Sequence, residues 1–215
     1  MPNPLVRLRY AIGERFRRRR FQFFLDTVGQ PTPSDWWLDL GGGSGTYFLS
    51  AAVPVAQLVL LDPELSELRL AQAHHPDVSY VCADGQQLPF KTDAFACIFC
   101  NSVIEHVPQP AALAAEIERT GRRYFVQTPN GRFPLESHSR VPIPFYRAFP
   151  VGVRRVLSRW FGASFAYLES VSYLTEADLH RLFPHATFRR ESVLGLTKSF
   201  YAYRLGADAA ADPAR

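Results

Sequence analysis

The chain holds 215 residues, 47% of them hydrophobic, with three cysteines and a formal net charge of +4. That length and apolar content suit a single domain, residues 1–215, with a substantial core, and disfavour a second independent one. No apolar run approaches the roughly 20 residues needed to cross a bilayer, and the arginine-rich start lacks the apolar core and small-residue cleavage site of a secretion signal, so a cytoplasmic location is expected.

The first element is basic. Leu5, Leu8, Ile12, Phe16 and Phe23 keep helical spacing up to about residue 28, interrupted by the run Arg17 to Arg20. Residues 1–35 hold seven arginines against Glu14, Asp26 and Asp35, a balance of 7 − 3 = +4, while the remainder carries 17 basic and 17 acidic residues. All of the net charge therefore lies in this segment. Gln30-Pro31-Thr32-Pro33 ends it. Short apolar runs then alternate with amphipathic stretches: WWLDL (36–40), a helix from about 45 to 52, AQLVLLD (56–62), a helix from about 64 to 74, VSYVCAD (78–84), AFACIFCN (94–101), a helix over 110–120, and RYFVQTP (123–129). Strand and helix in repeated alternation imply right-handed crossovers, a mainly parallel sheet with helices on both faces, and an α/β, doubly wound fold.

After Pro129 the rhythm fails. Residues 129–173 contain five prolines and nine aromatics, too long a stretch for an ordinary connection, and read as a cap over a substrate. A helix near 175–183 follows, opened by a Thr175-x-x-Asp178 capping box, then a hairpin of ATFRRESVLG and KSFYAYRLG. The expected organisation is a basic N-terminal helix (1–30), a cofactor-binding core (31–128), the cap (129–173), the C-terminal helix and hairpin (174–206) and a flexible tail (207–215). Cys97 and Cys100 form a C-x-x-C on a strand, where positions three apart point to opposite faces; core packing is expected and a metal site is not.

The most informative stretch is LDLGGGSGTY, residues 38–47. Glycine lets the backbone take positive φ and lets a ligand approach, and a strand-to-helix turn presents unpaired N–H groups. The dinucleotide pattern G-x-G-x-x-G/A fails in every register, whereas D-x-G-x-G-x-G fits Asp39, Gly41, Gly43 and Gly45. This pattern resembles motif I of the class I S-adenosylmethionine-dependent methyltransferases, and an acid before the turn suits a ligand with a sulfonium and an ammonium, where it would repel a pyrophosphate. The resemblance covers roughly residues 36–129 and implies a Rossmann-like sheet of seven strands with the last antiparallel, and S-adenosyl-L-methionine as cofactor. It further implies that Asp62 holds the ribose hydroxyls, that Asp84 faces the adenine amino group with Gly85 and Gln86 beside the ring, and that Asn101 meets the donor. Asp also favours helix N-caps and turns, an alternative role for Asp62 and Asp84.

Methyl transfer is an in-line displacement that needs alignment and sometimes a base, not a nucleophilic side chain. His106, Glu105, His138 and Glu136 are the candidates for that base. NSVIEHVP resembles the fourth-strand exit of ubiquinone-type O-methyltransferases, some of which bind a metal through E-x-x-E-H; here Ser102 replaces the first Glu, so no metal is expected. TPNGRFPLESHSRVPIP resembles the F-P-x-E-x-H stretch of small bacterial methyltransferases acting on metabolites or envelope precursors; Glu136 and His138 fit a carboxylate orienting an imidazole base, or equally a polar anchor of the loop. The function expected is methyl transfer to a small-molecule acceptor, at an oxygen; the alternatives are a non-catalytic S-adenosylmethionine-binding or membrane-associated accessory protein, or an RNA methyltransferase. ERFRRRRFQFF and VGVRRVLSRWFG mix arginine with aromatics and read as solvated faces, or as contacts for anionic lipid or a lipid-linked substrate. Nucleic acid is not the expected partner, since the body of the chain is charge-neutral.

Overall fold

The structure, a computed structural model, describes residues 4–43, 47–49, 57–135 and 141–206, with the side chains of residues 4–12 left undescribed. Helix α1 (Pro4–Val28) is followed by β1 (Trp36–Leu40), β2 (Gln57–Asp62), α2 (Leu65–His74), β3 (Ser79–Cys82), β4 (Cys97–Asn101), α3 (Pro110–Thr120) and β5 (Tyr124–Pro129). The cap carries α4 (Val151–Trp160) and α5 (Phe165–Ser170), and the chain continues with α6 (Glu176–Leu182), β6 (Thr187–Val193) and β7 (Leu196–Arg204).

The seven strands form one sheet in the order β3-β2-β1-β4-β5-β7-β6. β1 to β5 pair in parallel, and β7 runs antiparallel to both β5 and β6. The inner strands read as unbroken apolar runs because both faces are covered: β1, β4 and β5 are buried almost throughout. Leu38, Leu40, Ile98, Cys100, Val126, Leu113 and Leu179 pack on one face, and Trp37, Cys97, Phe99, Phe125 and Tyr201 pack on the other beneath α1. The two cysteines three apart thus point into opposite layers, as the strand period requires. Each thiol is driven up by burial, that of Cys97 to about 12.

Local sequence sets the boundaries. Pro110 opens α3 and Gly121 follows its end, and Thr175 and Asp178 form a reciprocal capping box on α6. β6 and β7 are joined by Leu194 and Gly195, both at positive φ (50° and 79°), as a two-residue type I′ connection requires.

Three expectations change. First, α1 runs unbroken through Arg17 to Arg20, because arginine is a good helix former and Phe21, Phe24, Leu25 and Val28 form a buried i, i+3, i+4, i+7 stripe. Phe24 is fully enclosed by the rings of Trp37, Phe48, Phe99 and Phe125 at centroid distances of 4.6–5.9 Å, a burial that stabilises by about 1.5–3 kcal/mol. Second, Arg20 is buried at 7% exposure and does not share the solvated face of Arg18 and Arg19. Third, the aromatics of residues 129–173 divide: Phe133, Phe145, Tyr146 and Tyr173 border one cavity of about 150 Å³, and others turn to solvent. Tyr146 is buried in the cap's own small core with Val141 and Leu168, while Phe145, Phe149, Trp160 and Tyr167 are exposed. The helix expected at 45–52 falls largely outside the described residues, which include a turn at 47–49.

Candidate functional site

The strand order reverses between β1 and β4, and the C-terminal ends of β1, β2, β4 and β5 lie side by side there. Open α/β sheets bind ligands at such a switch point. The chain leaves β1 through Gly41 (φ 72°) and Gly43 (φ 52°), conformations that side chains rarely adopt. Gly41 N donates to Leu61 O at 2.7 Å, holding the bend to β2. A Cβ at Gly41 would meet Val103 Cγ2 at 2.4 Å, and one at Gly42 would meet Asp39 Oδ2 at 2.7 Å. Gly42, on an x of the D-x-G-x-G-x-G register, sits close against the Asp39 side chain as well. Gly45 lies outside the described residues.

Asp39 is 2% exposed and its Oδ2 has no hydrogen-bond partner. Burial, and then the charge of Asp62, push its carboxyl up to about 7. Asp62, at the end of β2, accepts from Gly43 N through Oδ2 and from Glu64 N through Oδ1, both at 2.9 Å. Two carboxylates thus address one glycine bend, one of them buried without a donor. Such a cradle fits a cationic group, which would return Asp39 to its ionised form, and does not fit a phosphate.

Asp84 accepts from Gln86 Nε2 and from Gln86 N at 2.9 Å, and these hydrogen bonds hold its carboxyl below the usual range. Gln86 Oε1 in turn accepts from Gln109 N at 2.9 Å, tying this loop to the start of α3. A Cβ at Gly85 would lie 2.9 Å from Leu113 Cδ1, so the Leu113 side chain would have to shift to admit one.

Asn101 is held on both sides: its Oδ1 accepts from Arg20 Nη1 at 3.0 Å and its Nδ2 donates to Tyr47 OH at 2.8 Å. Arg20 also donates to Gln127 Oε1 and to Glu191 Oε2, each at 3.1 Å. Desolvation works against its charge, but Glu191, Tyr47 and Tyr201 outweigh that and raise its affinity for the proton. One guanidinium thereby clamps β4, β5 and β6 from α1. The four positions stood apart in the sequence, yet Arg20 lies four residues before Phe24 on the apolar stripe, which is the signal that it faces inward.

A short 3-10 turn, Ile104–His106, follows β4. Glu105 is fully buried, accepts from Thr128 Oγ1 at 3.0 Å through Oε2, and receives Ser172 N on its backbone oxygen at 2.9 Å, which ties the cap to the sheet. His106 Nε2 lies 3.9 Å from Glu105 Oε1, and its ring stacks on Tyr167 of α5 with centroids 5.5 Å apart. Glu136 and His138 lie outside the described residues. Between the cap and the C-terminal hairpin opens a cavity of about 620 Å³, lined by Arg132, Arg147, Tyr173, Glu176, Arg190 and Phe200 among others. Arg190 within it is paired with Glu176 at 2.6 Å.

A seven-stranded sheet with an antiparallel β7 and an acid-fronted glycine bend at its switch point define the class I methyltransferase architecture. Residues 38–123 match the family described as a methyltransferase domain. An uncharacterized methyltransferase of Mycobacterium marinum is 39% identical over 102 residues, covering 46% of this chain and 40% of that protein. Among solved structures, geranyl diphosphate C-methyltransferase of Streptomyces coelicolor superposes with a TM-score of 0.61 at 14% identity, covering 88% of this chain and 80% of that one. Magnesium protoporphyrin IX methyltransferase of Synechocystis, with S-adenosylmethionine bound, gives 0.61 at 14% identity over 95% and 86%. Residues 38–123 thus resemble a methyltransferase domain on the fold of the class I enzymes, and the chain spans less than half the length of the curated relatives it matches.

Proposed function

We propose that the chain transfers a methyl group from S-adenosyl-L-methionine to an oxygen of a small, partly apolar acceptor. The observation that carries this reading is the buried, unpartnered Asp39 Oδ2 beside Gly42, with Asp62 facing the same bend. When bound, S-adenosyl-L-methionine supplies a methyl carbon on a sulfonium leaving group. The chain's own residues hold and orient. Asp39 compensates positive charge, and the Asp62 oxygens each keep a lone pair for ribose hydroxyls beyond their backbone contacts. Asp84, Gly85 and Gln86 border the adenine, and Asn101, fixed by Arg20 and Tyr47, meets the donor at the exit of β4.

An oxygen acceptor must lose a proton, and His106 or His138, the latter with Glu136, takes it. The cap cavity supports an acceptor with a polar or anionic group beside apolar carbon. Calorimetric titration of the full chain with S-adenosylmethionine and S-adenosylhomocysteine tests the donor site. A methyl-release screen across phenols, sugars, carboxylates and RNA then tests the acceptor. No heat at millimolar donor overturns the reading, and binding without release for any acceptor class would mark a non-catalytic binding protein.

A further inference from the structure

Among the described residues, seven of the fourteen exposed large hydrophobic side chains lie between Phe145 and Tyr167, concentrated on and around α4. Helix α4 is amphipathic in the reverse sense to a packed helix. Ser158, at the centre of its inner face, is buried and its hydroxyl meets Tyr146 OH at 2.5 Å, with Leu157 packed against the cap's core beside it. The outer face presents Val153, Val156 and Trp160 at i, i+3 and i+7, exposed at 42%, 65% and 81%. Arg155 and Arg159, four apart and both exposed, run along one side of that stripe.

We infer that α4 docks this protein onto an anionic lipid bilayer, lying in the plane of the headgroups. An apolar stripe flanked by arginines and closed by a tryptophan is the pattern of an interfacial helix: valines enter the acyl boundary, arginines meet phosphates, and indole spans the two. Charge selects this occupant. Residues 141–170 contain four arginines against one acid, Glu169, which pairs with Arg154, so a second copy seated here would set a net-basic face against its like, whereas anionic headgroups complement it. The other arginine-aromatic segment does not share the role, because Phe21 and Phe24 of α1 are buried in the domain core. The inference stands independently of the donor reading. Docking would also set the rim of the candidate site near lipid, since Tyr167 of the same cap stacks on His106.

The test is vesicle flotation of the full chain with phosphatidylcholine vesicles and with phosphatidylcholine–phosphatidylglycerol vesicles, at low and high salt. The chain should float with the anionic vesicles at low salt and not with the neutral ones. Arg155→Glu with Arg159→Glu should weaken partitioning by about tenfold or more. Val156→Asp should abolish it, with an unchanged melting curve because the side chain touches solvent. Brominated lipid should quench fluorescence in the native chain and not in Trp160→Phe, which reports insertion without destabilising anything. Absence of flotation, flotation undiminished by Val156→Asp, or a dimer in sedimentation that Val156→Asp dissolves would each overturn the inference, the last assigning this face to a second copy.

Discussion

Arg20 Nη1 donates to Asn101 Oδ1 across 81 residues of sequence, at 3.0 Å, and joins the first helix to the end of the fourth strand. The same guanidinium serves Gln127 and Glu191. Arg20→Ala would take a donor from Asn101 Oδ1 and Glu191 Oε2, both half-buried, while Gln127 Oε1 keeps Ser102 Oγ at 2.8 Å, and should cost about 3 kcal/mol in urea unfolding. Arg20→Lys keeps the charge but not the fork, and should recover part of this. Arg19→Ala, on the exposed side, should stay within about 0.5 kcal/mol of the parent. Equal stability of the Arg19 and Arg20 variants would refute the clamp.

The Asp39 carboxyl, raised to about 7, makes stability and donor affinity move oppositely with pH. Between the ordinary carboxylate range and about 7 the folded chain keeps this proton while the unfolded chain has lost it, so stability falls as pH rises through that window and is level above it. Donor affinity runs the other way, strengthening as Asp39 ionises. Asp39→Asn should therefore stabilise the ligand-free protein at pH 8, by an amount on the order of 2–4 kcal/mol at most. The same variant should weaken S-adenosylmethionine binding at least about tenfold and flatten its pH dependence. Thermal melts and calorimetry across pH 5–9 check both, and a destabilised Asp39→Asn variant would show that the carboxylate is satisfied without a ligand.

Much of the fold is legible in the sequence. The parallel strands announced themselves as apolar runs, Cys97 and Cys100 followed the two-residue strand period, and the Thr175–Asp178 cap formed as its chemistry predicts. What escaped reading depends on contacts distant in sequence. Arg20 looks like its three arginine neighbours until Gln127 and Glu191 arrive from strands more than a hundred residues away. Gly42 falls on an x of D-x-G-x-G-x-G, and its close approach to the Asp39 carboxylate is a contact that no spacing rule encodes. The cap's aromatics were counted without direction; composition cannot tell Tyr146, which turns inward to Ser158, from Trp160, which turns to solvent.

Leu194 offers a test of the hairpin alone. It sits at φ 50° and is 98% exposed, so it bears left-handed strain with no packing in return. Leu194→Asn should stabilise the chain by a few tenths to about 1 kcal/mol without altering donor binding, read as a higher urea midpoint at unchanged slope. A loss of stability would mean that the turn departs from the I′ form.

The two histidines divide the proposed chemistry between them. His106 lies between Glu105, with Nε2 3.9 Å from Oε1, and the Tyr167 ring on which it stacks. His138 lies nine residues after the end of β5 in the sequence. His138→Ala should lower kcat by about 10²–10⁴-fold with S-adenosylmethionine affinity unchanged, the signature of a lost base. Glu136→Gln, acting through the imidazole, should cost less and shift the acidic limb of the pH–rate profile. His106→Ala, by loosening the stack on Tyr167, should raise KM for the acceptor more than it lowers kcat. If instead His106→Ala abolished turnover and His138→Ala spared it, the base would belong to the β4 exit. If both variants kept full turnover, no proton would be removed by an imidazole and the oxygen acceptor itself would be in doubt.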